Sequence, residues 1–223
     1  STRLCETLLC VAELMALEIF ATIFNYLAIR LGFPMADADF ARWRPVFGLD
    51  WLSYDAFIMS RPWLAISLYL LYLSSAPQIL IAVLVLGFTG RLATLLELVM
   101  ILSVTSIVPV IVGALLPGLG AHHFYGVPDH GAARFVPAIV GSHDGTLKLL
   151  EMDKVEGLVV FPSYHTVISL ALIAAFWPLK YLRYPGLFVN VALIASVPVW
   201  GSHYFIDIPA GLAVWLVAHL LWR

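Results

Sequence analysis

The chain has 223 residues, of which 62% are hydrophobic and only 12% charged, with a strongly positive mean hydropathy. Soluble domains carry about a quarter charged residues, so a soluble globular domain is excluded and an all-α polytopic membrane protein is indicated. A net charge of −2 offers nothing to a nucleic-acid partner, and the length suits one domain, 1–223.

A hydrocarbon core about 30 Å thick needs roughly 20 apolar residues per helix, and six stretches meet or approach that length. In chain order they cover 4–31, 62–88, 92–116, 161–179, 185–200 and 205–222. The first is too long and too acidic for a cleaved leader and reads as a retained span. Cys5 and Cys10 both fall within it, which argues against a disulfide. Continuous apolar runs without period-two alternation favour helices over barrel strands. Pro77, Pro109 and Pro198 lie inside spans and mark kinks. The fifth stretch is the shortest, so five spans with a re-entrant piece is the alternative to six.

Between the first two spans, Phe40, Trp43, Phe47, Trp51, Tyr54 and Ile58 recur at helical spacing, interrupted by Pro45 and Gly48. Two short amphipathic pieces are expected there, either lying in the membrane interface or packed on the bundle as a lid. The connections at Gly90-Arg91 and at 180–183 are short and basic. The positive-inside rule then puts both termini in the cytoplasm and the two long loops outside.

Two polar clusters at the ends of apolar runs carry the chemistry, because polar groups at such places are costly unless they are used. The first is Phe161-Pro162-Ser163-Tyr164-His165-Thr166, with Pro162 suited to a first helical turn. The free N–H groups of that turn and the Ser163 hydroxyl suit an anion. The second is Gly201-Ser202-His203-Tyr204-Phe205-Ile206-Asp207. His203 and Asp207 lie four apart, one face of a helix if the segment is helical. A carboxylate accepting from one imidazole nitrogen makes the other a better base or nucleophile. The span order brings both clusters to one membrane face.

Pro162-Ser163-Tyr164-His165 resembles the second motif of the type-2 phosphatidic acid phosphatase superfamily, and the 201–207 segment resembles its third motif. The His-Tyr-x-x-Asp form, followed by Pro209-Ala210-Gly211, is similar to the branch containing fungal inositol phosphorylceramide synthase. The resemblance implies a metal-independent lipid-phosphate phosphatase or phosphotransferase without a cofactor. It casts His203 as a nucleophile forming a phosphohistidine, Asp207 as its orienter, His165 as general acid and Ser163 as a phosphate contact. The substrate it implies is a phospholipid, sphingolipid or prenyl phosphate drawn from the bilayer. Transfer to water gives a phosphatase, the favoured reading; transfer to another alcohol gives a synthase-type phosphotransferase. A bacterial inner membrane with the site facing the periplasm is the expected location.

The sequence departs from the superfamily pattern in its cations. Ser196-Val197 stands where a third-motif Ser-Arg belongs, and Arg61-Pro62 is paired with Tyr54 in place of a Lys. A phosphoryl group in transit needs cations or N–H donors, and Arg134, Lys148 and Lys154 are the nearest replacements, with Arg134 and Lys148 preferred. His122, His123 and His143 are weaker ones. The same loop histidines, with His130, Asp129 and Asp144, lack a metal-ligand spacing. Glu13, Glu18 and Glu97 lie inside spans, where they serve structural pairing or, in a non-enzymatic reading, a transport path.

Overall fold

The computed structural model describes all residues except 1, 44, 45, 47, 132, 133 and 151–156. Phe47, Pro45 and Lys154 therefore lie outside the described residues. Those described form eleven helices and no strand: α1 (Thr2–Ile29), α2 (Asp37–Ala41), α3 (Trp51–Met59), α4 (Pro62–Leu73), α5 (Ser75–Phe88), α6 (Leu92–Leu115), α7 (Ala121–Tyr125), α8 (Val136–His143), α9 (Tyr164–Phe176), α10 (Arg183–Trp200) and α11 (Asp207–Trp222).

By length and hydropathy, α1 and α6 each cross a membrane unaided. Helices α3 and α4 pass the same test only as a pair, bent by 107° at their junction. The single span expected over 62–88 is instead split at Ser74 into α4 and α5. Pro77 explains the break: it lacks an N–H, and its ring crowds the carbonyl one turn earlier. Pro109 and Pro198 stay within continuous helices.

Helix α6 packs against α1, α9 and α11, and α9 packs also on α10. Leu95, Leu98, Leu102, Leu172, Ala175 and Phe176 form the heart of this apolar core. Polar pairs tie the helices where hydrocarbon offers no alternative partner. Asn190 donates to Gln78 Oε1 at 2.8 Å, Tyr164 to the Leu102 carbonyl at 3.0 Å, and His219 sits 2.9 Å from Glu97. Glu97 thus has a structural partner.

A second core lies beneath the loops, built from Tyr26, Ile29, Phe40, Trp51, Ile139 and Tyr204. Two short helices do form between the first spans, and Phe40 and Trp51 turn from them onto the bundle, whereas Trp43 lies outside both and is exposed. Trp51 is only 2% exposed, and its ring stacks on Tyr125. The Trp51 indole donates to the carbonyls of Pro198 at 3.3 Å and His203 at 3.1 Å. Tyr54 donates to the Ala195 carbonyl at 2.6 Å. The Pro198 carbonyl, in the last turn of α10 where helical donors run out, is therefore capped by α3. Leu52 and Phe57 are left facing outward.

Candidate active site

Helix α9 begins where the sequence places a cap. The Ser163 hydroxyl accepts from the Thr166 N–H at 3.3 Å, an N-cap bond. Pro162 thus precedes the cap and lies outside the first turn. Ser163 is fully buried, and its N–H donates to the Asp207 carbonyl at 3.2 Å, fastening the start of α9 to the start of α11.

His203 is not on a helix, which corrects the expected geometry. Helix α11 starts only at Asp207, and residues 201–206 form a turn in which Ser202 has φ 55°. The contact is made nonetheless: Nδ1 of His203 lies 2.9 Å from Asp207 Oδ2. The same oxygen accepts the Tyr204 N–H at 2.8 Å. Asp207 is fully buried and His203 is 3% exposed. With Nδ1 donating to the carboxylate, Nε2 carries the lone pair, and it has no partner among the described residues.

Nothing but hydrogen fits on the α-carbon at 201. A Cβ there would stand 2.5 Å from His203 Cδ2 and 2.9 Å from the Val197 carbonyl oxygen. Gly201 thus gives the imidazole the room it occupies.

His165 lies in the first turn of α9, its ring stacked on Tyr72 with centroids 4.1 Å apart. His165 and His203 are near enough to interact electrostatically, and both line a cavity of about 720 Å³. Arg134 lines the same cavity, as do Tyr69, Tyr72 and Glu18. The rest of its wall is apolar, including Leu14, Met15, Leu73, Leu80 and Val83. Met15, Leu73 and Leu80 are themselves about half exposed or more on the flank of the bundle, at 63%, 50% and 49%. The cavity therefore opens sideways between α1 and the α4–α5 pair.

The other expected phosphate contacts are placed elsewhere. Ser163 does not line the cavity; its hydroxyl is engaged in capping. Lys148 is exposed, with its ammonium on the Gly145 carbonyl at 2.7 Å. Arg61 lies over the Phe57 ring and donates to the Phe57 carbonyl. His143 bonds the Phe33 carbonyl at 2.8 Å. Among the described residues, no three His, Cys, Asp or Glu side chains gather as a metal-holding group.

Sequence reasoning missed the shell that holds the 201–207 turn. Asp37, at the start of α2, accepts from the N–H groups of Leu119 and Gly120 and from the Tyr204 hydroxyl at 2.8 Å. Burial and the adjacent Asp37 push the Tyr204 phenol well up, so it remains a donor. Tyr204 belongs to the 201–207 motif, but its pairing with Asp37 is not legible in the sequence, because 167 residues separate the two.

Fold and site together define an α-helical membrane protein whose paired histidines, one braced by a carboxylate, share a cavity open to the bundle flank. Residues 38–221 match the family described as the PAP2 superfamily. The match covers most of the chain, and the protein belongs to that superfamily, which supports a phosphatase or phosphotransferase type of function. No curated protein and no solved structure matches the chain.

Proposed function

We propose that the protein is a lipid-phosphate phosphatase working through a phosphohistidine, in the synthase-like branch of its superfamily. The observation that carries this reading is the cavity itself. It joins His165, His203 and Arg134 to a long apolar wall with a lateral mouth. A phosphorylated lipid entering from the bilayer can lay its chains on that wall and its phosphate against the polar end.

In this reading Nε2 of His203 attacks phosphorus while the bond from phosphorus to the lipid oxygen breaks. His165 gives a proton to the departing alcohol. Asp207 holds Nδ1–H throughout and stabilises the charge that develops on the ring. Arg134 balances the charge on the phosphoryl oxygens. Water then attacks the phosphohistidine, yielding a proton to His165, and the P–N bond breaks to release inorganic phosphate. All six apolar stretches cross the membrane, with both termini in the cytoplasm and the site on the periplasmic side of a bacterial inner membrane.

The test uses the detergent-solubilised protein with a phosphatidic acid and, separately, with a doubly labelled phospholipid plus an alcohol-bearing lipid. Release of inorganic phosphate that disappears in His203→Ala is the expected result. Transfer of the labelled headgroup to the second lipid, without phosphate release, would instead make it a phosphotransferase. No turnover of either substrate, with lipid or solute transport in proteoliposomes, would overturn both readings.

A further inference from the structure

His122 is nearly fully buried, at 1% exposure, yet it lies outside the catalytic pair. It sits in α7 against the edge of Trp51, with ring centroids 4.8 Å apart. Its Nδ1 is 3.1 Å from the Ser202 hydroxyl, and its own backbone N–H donates to that hydroxyl at 3.1 Å. On the other side of the ring, Nε2 faces Asp55 Oδ1 at 3.5 Å. That separation exceeds an ordinary hydrogen bond, but neither atom has another partner among the described residues.

One proton arrangement satisfies the chain of contacts. Ser202 Oγ accepts from the His122 N–H and donates to Nδ1, so the ring proton resides on Nε2 and points at the Asp55 carboxylate. Burial holds the His122 imidazolium down, against the pull of Asp55 and Asp129, which agrees with a neutral ring.

The position of Ser202 gives this chain its significance. Ser202 immediately precedes His203 and has φ 55°, a conformation that residues other than glycine adopt uncommonly and hold only when the surroundings require it. Its carbonyl accepts the Ala121 N–H at 2.7 Å, and Gly120, at φ 86°, approaches so closely that a Cβ would stand 2.7 Å from the Ser202 hydroxyl. The loop before α7 and the ring of His122 thus grip Ser202 from two directions. Trp51 holds the His203 carbonyl. We propose that Asp55, His122 and Ser202 form a positioning chain that fixes the turn aiming His203 into the cavity.

His122 and Asp55 are then positioning residues that act through Ser202 and never touch substrate. The catalytic part of the proposal rests on His203 being the nucleophile. His122→Asn places an amide near the position of Nδ1 and can keep the bond to Ser202; His122→Ala cannot. Ser202→Gly suits the backbone conformation but removes the hydroxyl, so it separates the hydroxyl's role from that of the positive φ. The expected result is that His122→Ala and Ser202→Gly each lose up to about 10²-fold in kcat, the scale of a 1 Å misplacement of a reacting group. KM and the thermal midpoint should change little in Ser202→Gly and His122→Asn, and His122→Asn should recover most of kcat. The double variant His122→Ala, Ser202→Gly should be no worse than the poorer single one, because one chain is cut twice.

A readout independent of turnover is the proton resonance of His203 Nδ1–H in detergent. It should broaden or shift in His122→Ala and Ser202→Gly and be kept in His122→Asn. Wild-type kcat and an unchanged resonance in Ser202→Gly would overturn the positioning chain, as would losses that simply multiply in the double variant. Absence of turnover in the wild type would refute the proposed reaction alone, and the resonance would still decide the positioning chain.

Discussion

Gly201→Ala isolates the geometry of the nucleophile better than any change to the histidine itself. Gly201 has φ −100° and ψ −1°, which alanine adopts without strain, so any effect arises from the added methyl. That methyl would stand 2.5 Å from His203 Cδ2, where ordinary contact begins at 3.4 Å. On the other side it meets the Val197 carbonyl at 2.9 Å, which is backbone within α10 and yields little. The imidazole must therefore move by about 0.9 Å, and a displacement on this scale costs about 10²-fold in rate. The shift also disturbs the contact of Nδ1 with Asp207, now at 2.9 Å. Steady-state phosphate release should show the loss in kcat, with KM little changed because the apolar wall and Arg134 are untouched. A thermal melt in detergent and intact helical circular dichroism would show that the bundle persists. Wild-type kcat in a folded Gly201→Ala protein would refute the argument that this ring position is needed.

Three other outcomes follow from the same geometry. Arg134→Ala removes the cation that lines the cavity with both histidines; a charge-assisted hydrogen bond is worth about 1.5–3 kcal/mol, so kcat/KM should fall by roughly 10–10²-fold, whereas Lys148→Ala should have a much smaller effect. His165→Ala should lose about 10²–10⁴-fold on alkyl phosphates and recover much of that on an aryl phosphate, whose leaving group needs no proton; equal losses on both would count against a general-acid role. His122 is held below its ordinary value of 6.5 by burial, despite Asp55 and Asp129, and with His130 adding to the depression. The unfolded state then binds the proton more readily, so its stability contribution is present above pH 6.5 and is lost as pH falls towards the folded value. Thermal midpoints measured from pH 7.5 to 5.5 should decline, and less steeply in His122→Asn.

The fold was legible wherever it depended on local composition. Apolar run length located α1 and α6 almost to their ends, and the aromatic spacing around Trp51 and Ile58 marked a helix with one buried face. The break at Ser74 is legible only in part, since Pro77 marks a kink but the apolar run continues unbroken through it. At the site, the His203–Asp207 contact was anticipated for the wrong local reason, because spacing of four suggests a helix and the chain instead makes a turn through Ser202. Cations were the hardest to place. Arg134 and Lys148 look equivalent in a loop sequence, and each donates to the carbonyl three residues before it, but of the two the fold puts only Arg134 on the cavity wall. Tyr204 is visible within the 201–207 motif, but its contact with Asp37, like that of Asp55 with His122, is not, because each joins segments far apart in the chain.

The central claim is that His203 becomes covalently phosphorylated, and rapid-quench trapping in alkaline detergent tests it most directly. The protein, mixed briefly with substrate labelled in its phosphate and quenched, should yield an acid-labile, base-stable phosphoenzyme in the wild type. With an aryl phosphate the adduct should still form in His165→Ala, and it should be absent from His203→Ala with every substrate. Phosphoenzyme that persists in His203→Ala and vanishes in His165→Ala would show that the two histidines hold the opposite roles.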